Sequence, residues 1–344
     1  MKALVTGSTG FIGGAICRRL VEQGMEVRAF HRETSSLKNL EGLAVEHVTG
    51  DLTRPETLEP AMQGVEVVFH AAALLGARDD PGRMYAVTVE GTRAILRAAR
   101  KAGVRRLIHT SSVAALGVPE VSRLKPPVRG LLDESHAWNY YSELWSYGYA
   151  KYLAELEVQK SVANGLDAVI VNPSVVMGAG DVYRKTSSVV VQIASGKLRV
   201  CVEGGVNIVH IEDVVSGHLA ALQYGRRGAR YILCGTNLPI PEMTRMIAEF
   251  SGLSIPLVVP AGLVRSSAGV LKRLESFLPL PISAEMLNLA GYYFYYDGRK
   301  AQRELRLDAP LSAQLALQDA FDWFVREGAL TLPRKGNGKN LRDK

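Results

Sequence analysis

Near its amino terminus the chain reads Val5-Thr6-Gly7-Ser8-Thr9-Gly10-Phe11-Ile12-Gly13-Gly14, and the architecture is organised around this stretch. The apolar run Ala3-Leu4-Val5 predicts a buried strand, and the apolar residues from Phe11 to Gln23 have helical spacing. The glycines therefore lie on a strand-to-helix turn. Such a turn offers unpaired N–H groups that bind nucleotide phosphates, although packing alone can also place glycines there.

Each glycine of the turn has its own expected role. Gly7 supplies the backbone freedom that a tight turn needs, Gly10 lets the main chain approach a pyrophosphate, and Gly13 lets the helix pack close to the strand. The spacing is Gly-x-x-Gly-x-x-Gly, which differs from the usual Gly-x-Gly-x-x-Gly of dinucleotide-binding proteins. Its position after the first strand still favours a dinucleotide.

The length and composition indicate a globular protein with a sizeable core. With 344 residues, 47% of them hydrophobic, the chain is long enough for one large domain or two. The net charge is +7, but the segment from Arg334 to Lys344 holds five basic residues against one acidic residue and supplies +4 of that charge. The body is nearly balanced, so nucleic acid is not an expected partner. The tail, residues 331–344, is predicted to be basic and flexible.

Cysteine usage and hydropathy favour a cytoplasmic protein. Cys17, Cys201 and Cys234 fit no metal-ligand or redox spacing, which predicts reduced thiols and no bound metal. The first apolar run is too short for a signal peptide, and no apolar run approaches the ~18 residues of a membrane span. We expect a soluble protein with at most peripheral membrane contact.

Strands and helices alternate along the first half of the chain. This pattern predicts an α/β fold with a doubly wound, mostly parallel sheet of the Rossmann type. In such sheets ligands bind beyond the carboxyl ends of the strands. Five positions should share that edge: Gly7, His31, Asp51, Ala71 and Ser112.

The residues after the second predicted strand indicate which cofactor binds. NAD-binding proteins usually place Asp or Glu here to bind the ribose, whereas this chain has His31 and Arg32, with Lys38 a short segment on. A guanidinium group would pair with the 2′-phosphate of NADP. We therefore expect NADP rather than NAD, the alternative being that Arg32 is a solvated loop residue.

Three further features have two interpretations each. Asp51 could bind the adenine amino group or cap the turn before Thr53. His70, at the end of the fourth predicted strand, is more typical of a hydrogen-bonded core histidine than of a catalyst. Tyr147 and Lys151 are four residues apart and share one helix face, a spacing that alone usually indicates a surface pair.

The chain is expected to form two interleaved domains with a cleft between them. Residues 1–177 and 206–236 are predicted to form the cofactor-binding domain. Residues 178–205 and 237–330 are predicted to form a smaller, mostly helical substrate-binding domain. The loop from Pro119 to Asn139 is long enough to act as a lid.

Two stretches of the second domain are candidates for contact with the substrate. The segment from Ile255 to Leu280 could cap an apolar pocket or touch a membrane surface. The aromatic run from Tyr292 to Tyr296 could line the floor between the domains or pack in the core.

Six motifs occur in order along the chain: Thr6 to Gly13, Gly50-Asp51-Leu52, His70 to Ala73, Thr110-Ser111-Ser112-Val113, Tyr147-x-x-x-Lys151, and Val209 to Val214. Together they resemble the extended short-chain dehydrogenase/reductase superfamily, the NAD-dependent epimerase/dehydratase family. Within it the chain is similar to the dihydroflavonol-4-reductase-like branch, which includes the hopanoid-associated sugar epimerases of bacteria. The similarity runs from residue 1 to about residue 328.

The resemblance implies that Ser112, Tyr147 and Lys151 are the catalytic set. Tyr147 would deliver a proton to a carbonyl oxygen as a nicotinamide hydride reaches the carbon, and Ser112 would hydrogen-bond the same oxygen. Lys151 would hold the nicotinamide ribose and lower the phenol pKa. With the two basic residues after the second strand, the expected cofactor-binding positions are Gly7, Thr9, Gly10, Phe11, Ile12, Gly13, Arg32, Lys38, Asp51, Leu52, Ala71, Ala72, Ala73, Tyr147, Lys151, Pro173, Ser174 and Val175.

Four positions depart from the family pattern. Thr88 stands where many members have Asn, which removes the amide of their proton relay. Asn172 and Val175 replace the Arg and Asn that nucleotide-sugar enzymes carry after the sixth strand. Val206 replaces a further Arg. Because an apolar residue cannot pair with a diphosphate, a nucleotide sugar is a poor candidate substrate.

We therefore predict an NADP-dependent oxidoreductase that reduces a ketone or aldehyde on a lipophilic small molecule, or oxidises the matching alcohol. One alternative is a redox-neutral sugar epimerase or dehydratase that keeps its cofactor bound. Another is a regulator that binds NADP without turnover. The resemblance also suggests a homodimer through the helices of the first domain.

Overall fold

The computed structural model describes residues 1–74, 80–119, 131–183, 188–264 and 287–331. Among these residues, seven parallel strands form one large sheet in the order β10-β6-β5-β4-β1-β2-β3. Its strands are β1 Lys2–Thr6, β2 Glu26–His31, β3 Glu46–Thr49, β4 Val67–His70, β5 Arg106–Thr110, β6 Ala168–Pro173 and β10 Arg230–Leu233.

Helices cover both faces of the large sheet. On one face pack α1 Phe11–Glu22, α7 Ile211–Tyr224 and α9 Arg299–Leu305; on the other pack α2 Leu58–Ala61, α4 Gly91–Lys101 and α5 Ser146–Ala163. Strand β1 is apolar throughout because both of its faces are covered. Ala3 and Val5 pack in the core with α1 and α7, and Leu4 packs on the opposite face in the core with α4. The predicted doubly wound parallel sheet is confirmed.

A second set of elements lies beyond the carboxyl ends of these strands. It contains a three-stranded sheet, β11-β9-β7, and a two-stranded sheet, β12-β8. A separate apolar core forms where α6, α8 and α10 meet. The bounds are β7 Val175–Met177, β8 Val200–Val202, β9 Gly205–His210, β11 Thr236–Pro239, β12 Leu257–Val259, α6 Ser188–Ala194, α8 Ile240–Ser251 and α10 Ala313–Arg326.

The chain passes between the two sets of elements more than once. It leaves the large sheet after β6, builds β7, α6, β8 and β9, and then returns through α7, which packs on α1. Strand β10 completes the large sheet by pairing with β6 in parallel, with Arg230 opposite Ile170. One edge strand of the large sheet, β10, therefore comes from a late part of the chain.

The apolar spacing from Arg83 to Lys101 predicts one helix, but the helix that the structure shows there is interrupted. It begins as α3, Pro81–Tyr85, widens into a π-helical turn at Ala86–Glu90, and continues as α4. At the start of α4, the Thr92 hydroxyl donates back to the carbonyl of Thr88 in the turn over 2.6 Å. Periodicity alone did not predict this wider turn, because it changes the helical phase by one residue.

Some predicted features lie outside the described residues. These are residues 120–130 of the expected lid, residues 265–280 of the segment from Ile255 to Leu280, and the basic tail after residue 331. In the part of the chain that the structure does describe, no helix combines the length and hydropathy needed to cross a membrane.

Candidate active site

The glycine-rich turn is packed so tightly that side chains are excluded at two positions. Gly7, which follows β1, has φ +66°, and a Cβ atom on it would lie 2.8 Å from the main chain of Ala72. A Cβ atom on Gly13 would lie 2.1 Å from the carbonyl oxygen of Gly7. The turn therefore requires glycine at both positions for conformational and packing reasons.

The amino terminus of α1 is suited to a phosphate. Gly10 is the N-cap, and within the described residues no side chain caps the first N–H groups of the helix. A Cβ atom on Gly10 would meet only the carbonyl of Gly7, at 3.1 Å. Unpaired N–H groups at the positive end of a helix dipole fit the diphosphate of a dinucleotide.

Asn39 braces this turn, and sequence reasoning did not single it out. Its side-chain amide donates to the carbonyls of Thr9 and Gly10, both at 3.2 Å, and to that of Gly180 at 3.1 Å. The Tyr183 hydroxyl reaches Thr9 Oγ1 at 3.4 Å. A short helical turn after β2 and the segment after β7 thus meet over the glycines.

The two basic residues expected to bind the cofactor are in different situations. Arg32 follows β2 directly, is exposed, and its guanidinium makes no hydrogen bond or ion pair within the described ranges. Lys38 forms an ion pair with Glu327, the residue that follows α10. Only the first of these cations is therefore available to a ligand without breaking an existing pair.

The next predicted cofactor positions form part of the sheet edge. Asp51 caps its turn: its Oδ1 accepts from the amide of Thr53 at 2.9 Å and from the Thr53 hydroxyl at 2.8 Å. The contact with adenine stays a prediction. Leu52 is buried in the core of the α4 face, and a Cβ atom on Gly91 would lie 2.9 Å from its side chain.

The remaining predicted cofactor positions lie at the ends of β4 and β6. Ala71 donates its amide to Thr6 O at 3.2 Å, and Ala72 and Ala73 continue along the edge, partly buried. Beyond Pro173, the hydroxyl of Ser174 donates to Asn207 Oδ1 at 2.6 Å. The partly buried Val175 begins β7.

His70 is a satisfied core histidine, as its sequence context suggested. Its Nδ1 lies 2.7 Å from Thr6 Oγ1, and its Nε2 lies 3.0 Å from Thr92 Oγ1. Because the Thr92 hydroxyl donates to Thr88 O, Nε2 must carry the ring proton and Nδ1 must accept. Burial lowers the pKa of His70 to about 3, so the ring is neutral near pH 7.

The three residues expected to be catalytic converge. Ser112 lies two residues beyond β5, and its Oγ accepts from the amide of Ala114 at 3.1 Å. The Tyr147 hydroxyl is hydrogen-bonded to the Ser112 side chain. Lys151 lies one turn further along α5, is 3% exposed, and donates to the carbonyl of Thr110 at 3.0 Å. A phenol and a hydroxyl that are partly exposed therefore lie together one helical turn from a buried ammonium group.

Burial controls the protonation of this site. It raises the pKa of Tyr147 to about 12, against the opposing effect of the hydrogen bond with Ser112. It lowers the pKa of Lys151 to about 8, although the nearby Glu155 carboxylate acts in the opposite direction. Near pH 7 the phenol therefore carries its proton and most of the lysine is charged.

Comparison with known proteins identifies the family. A model named the NAD dependent epimerase/dehydratase family matches residues 3–234, more than half of the chain. The chain belongs to this family. As a family member it is an NAD(P)-dependent enzyme of the extended short-chain dehydrogenase/reductase type.

Two relatives and one solved structure match this family member along nearly its whole length. Sterol demethylase protein B of Methylococcus capsulatus is 33% identical and covers 96% of this chain and 100% of the relative. A Synechocystis protein provisionally named dihydroflavonol 4-reductase is 35% identical and covers 94% of each chain. The crystal structure of gox2253 superimposes with a TM-score of 0.83 at 35% identity and covers 96% of this chain and 99% of that one.

A buried polar network lies behind Ser112, Tyr147 and Lys151 in this epimerase/dehydratase member, and sequence reasoning missed it. Glu155 accepts from Ser111 Oγ and from Asn172 Nδ2, both at 2.5 Å, and pairs with Arg230 at 3.2 Å. Asn172 also donates to the carbonyl of Ser112 at 3.0 Å. The available signal was the helical spacing of Tyr147, Lys151 and Glu155, which puts all three on one face of α5.

Aromatic side chains form a cluster beside the amino terminus of α5, where Trp145 is the N-cap. Trp138 packs on Trp145 with ring centroids 5.9 Å apart, and Trp145 packs on Phe294 at 5.7 Å. Phe294 contacts Tyr292 at 5.9 Å, and Tyr292 contacts Tyr140 at 6.2 Å. The predicted aromatic run thus joins the segment before α5 in one continuous aromatic wall.

Proposed function

We propose that this family member is an NADP-dependent oxidoreductase that reduces a ketone or aldehyde on a lipophilic small molecule, or oxidises the matching alcohol. The observation that carries the proposal is the hydrogen bond between Tyr147 and Ser112 one helical turn from the buried Lys151. This arrangement supplies a proton donor, a second hydrogen-bond donor and a cation at one point.

The side chains divide the chemistry between them. Tyr147, protonated near pH 7, donates its proton to the carbonyl oxygen, and Ser112 donates a hydrogen bond to the same oxygen as negative charge develops there. Lys151 binds the ribose hydroxyls next to the nicotinamide, and its charge stabilises the tyrosinate that remains. The bound cofactor supplies the hydride.

The glycine turn and Arg32 support NADP as that cofactor. The uncapped amino terminus of α1 fits the diphosphate. The exposed guanidinium of Arg32 can form charge-assisted hydrogen bonds to a 2′-phosphate, and Lys38 would add to them only if it left Glu327. Free thiols at Cys17, Cys201 and Cys234 are consistent with work in the reducing cytoplasm.

The surroundings of the site support a lipophilic substrate. The aromatic wall presents rings rather than charges beside the amino terminus of α5, and Val206 offers no partner for a diphosphate. The names of the two relatives, a sterol demethylase protein and a dihydroflavonol 4-reductase, point to ring compounds in the same direction.

Oxidation of NADPH at 340 nm with a panel of cyclic and aromatic ketones and aldehydes tests the proposal. We expect one NADPH consumed per alcohol formed, and loss of turnover in Tyr147→Phe. Tyr149→Phe is the matched control, because it removes a phenol hydroxyl two residues away that the proposal gives no part in the reaction. Substrate conversion without net NADPH consumption would instead identify a redox-neutral epimerase or dehydratase. Cofactor binding without turnover would identify a sensor.

A further inference from the structure

Glu155 is a buried carboxylate that the proposed reaction does not itself use. It is 4% exposed and lies two turns after Tyr147 on the same face of α5. Both of its oxygens are engaged, Oε1 with Ser111 and Asn172 and Oε2 with Arg230. Burial of a carboxylate with three partners costs desolvation free energy. Removal of one partner strongly destabilises the folded protein, because the charge that remains is buried without compensation.

The network reaches Ser112 from two sides. Ser111, the preceding residue, is held by its side chain on Glu155 and by its amide on Val171 O, at 2.8 Å. Asn172 bridges the Glu155 carboxylate and the carbonyl of Ser112. The main chain on both sides of the Ser112 side chain is therefore fixed by contacts that converge on one carboxylate.

The network also reaches Lys151 and the segment before α5. Lys151 is one turn from Glu155 and faces His70 and His109, whose pKa values burial lowers far enough to leave both rings neutral. Glu155 thus supplies negative charge beside the ammonium. Arg230, its ion-pair partner, donates to the carbonyls of residues 134 and 136, in the segment that leads to the aromatic wall.

We propose that Glu155 is a positioning residue for the reaction: it fixes the main chain that presents Ser112 and supports the charge of Lys151, while Arg230 ties this arrangement to the segment before α5. The inference rests on the function proposed above, because it takes the roles of Ser112 and Lys151 from it.

A surface cavity makes the inference directly testable. Glu155 and Arg230 lie on the wall of a cavity of about 520 Å³ whose lining also includes Arg226, Arg227 and Lys300. Arg226 pairs with Glu304, and Arg230 pairs with Glu155. Removal of the Glu155 side chain therefore leaves Arg230 beside Arg227 and Lys300 as cations that attract small anions. A small carboxylate from solution can therefore enter the space that removal of the Glu155 side chain leaves.

The experiment compares Glu155→Ala with Glu157→Ala in turnover, NADPH affinity and chemical rescue. Glu157 lies two residues away on α5 and pairs with Arg93 and Lys160, away from Ser112, so its variant controls for loss of a helix carboxylate. We expect Glu155→Ala to lower kcat by about 10²-fold, the cost of misplacing a reacting group by about 1 Å, with little change in NADPH affinity. Formate or acetate should restore part of kcat, whereas chloride at equal ionic strength should not.

A folded Glu155→Ala variant with unchanged kcat, or one that formate and chloride affect equally, overturns the inference while the proposed function stands.

Should the wild type turn over no carbonyl compound, the proposed function fails, and NMR of the Lys151 side chain in [6-¹³C]lysine-labelled protein decides the inference instead. Lys151→Met assigns the signal. Its titration midpoint, expected near pH 8, should move to lower pH in the equally shaped Glu155→Gln variant, because a neutral amide no longer stabilises the ammonium. An unmoved midpoint overturns the inference.

Discussion

Replacing Lys151 by Met should make the protein more stable while abolishing its activity. Lys151 is 3% exposed, and burial lowers its pKa from 10.5 to about 8. The unfolded chain therefore binds this proton more tightly than the folded chain, and charging the buried amine costs folding free energy below pH 8. A methionine side chain fills a similar volume without that cost.

The size of the effect follows from the pKa difference. A shift of 2.5 units, from 10.5 to about 8, corresponds to about 3 kcal/mol at pH 7. Lys151→Met also loses the hydrogen bond to Thr110 O at 3.0 Å, which reduces the gain in stability by about 1 kcal/mol. The net gain of about 2 kcal/mol in the free energy of unfolding corresponds to a rise in Tm of about 3 °C for a chain of 344 residues.

Thermal unfolding from pH 7 to pH 9.5 measures the effect and its sign. The penalty on the wild type is fully present below pH 8 and fades as pH rises towards 10.5, so the advantage of Lys151→Met should shrink by about 2 kcal/mol over this range. Lys160→Met, on the same helix but 67% exposed, should leave Tm nearly unchanged. A lower Tm for Lys151→Met at pH 7, or a difference independent of pH, would refute the reasoning.

Three further predictions concern the turn, the cofactor and acid stability. Gly13→Ala should abolish cofactor binding, measured by NADPH fluorescence, because its Cβ would lie 2.1 Å from Gly7 O, whereas Gly262→Ala, with no atom of the described residues within 4 Å, should be neutral. Arg32→Ala should weaken NADP binding by about 10- to 100-fold and leave NAD binding nearly unchanged in calorimetric titrations; equal losses for both would contradict the assignment. Burial lowers the pKa of His218 from 6.5 to about 4, so the folded state loses about 2 kcal/mol of stability between pH 7 and pH 5, because the unfolded chain takes up the proton first. His218→Gln should remove this part of the pH dependence of Tm, and an unchanged slope would count against it.

The sequence was informative wherever neighbouring residues act together. The large sheet followed from short apolar runs separated by helical segments, because a parallel strand that is buried on both faces must be apolar throughout. The need for glycine at positions 7 and 13 was predictable because both residues belong to one tight strand-to-helix turn. The spacing of Tyr147 and Lys151 placed both on one helix face before the structure showed that this face is buried.

Contacts between distant parts of the chain were not predictable in this way. Asn39 holds carbonyls that are 29 and 141 residues away, and Lys38 pairs with Glu327 at a separation of 289 residues. The sequence near Glu155 does not indicate its ion pair, because its partner Arg230 on β10 is 75 residues further along the chain. No local pattern records such partners, since they depend on how the sheet is closed.

The late arrival of β10 has a consequence for biosynthesis. A nascent chain that has emerged only as far as β6 exposes that strand's open edge, which pairs with Arg230–Leu233 in the finished protein. Helix α7, which packs on α1, follows β6 in the sequence and is likewise missing at that stage. The amino-terminal half therefore cannot complete its sheet until residue 233 has emerged from the ribosome, and the open edge of β6 is prone to aggregation until then. For the same reason a gene fragment that ends at residue 177 should aggregate alone and fold when the missing half is co-expressed.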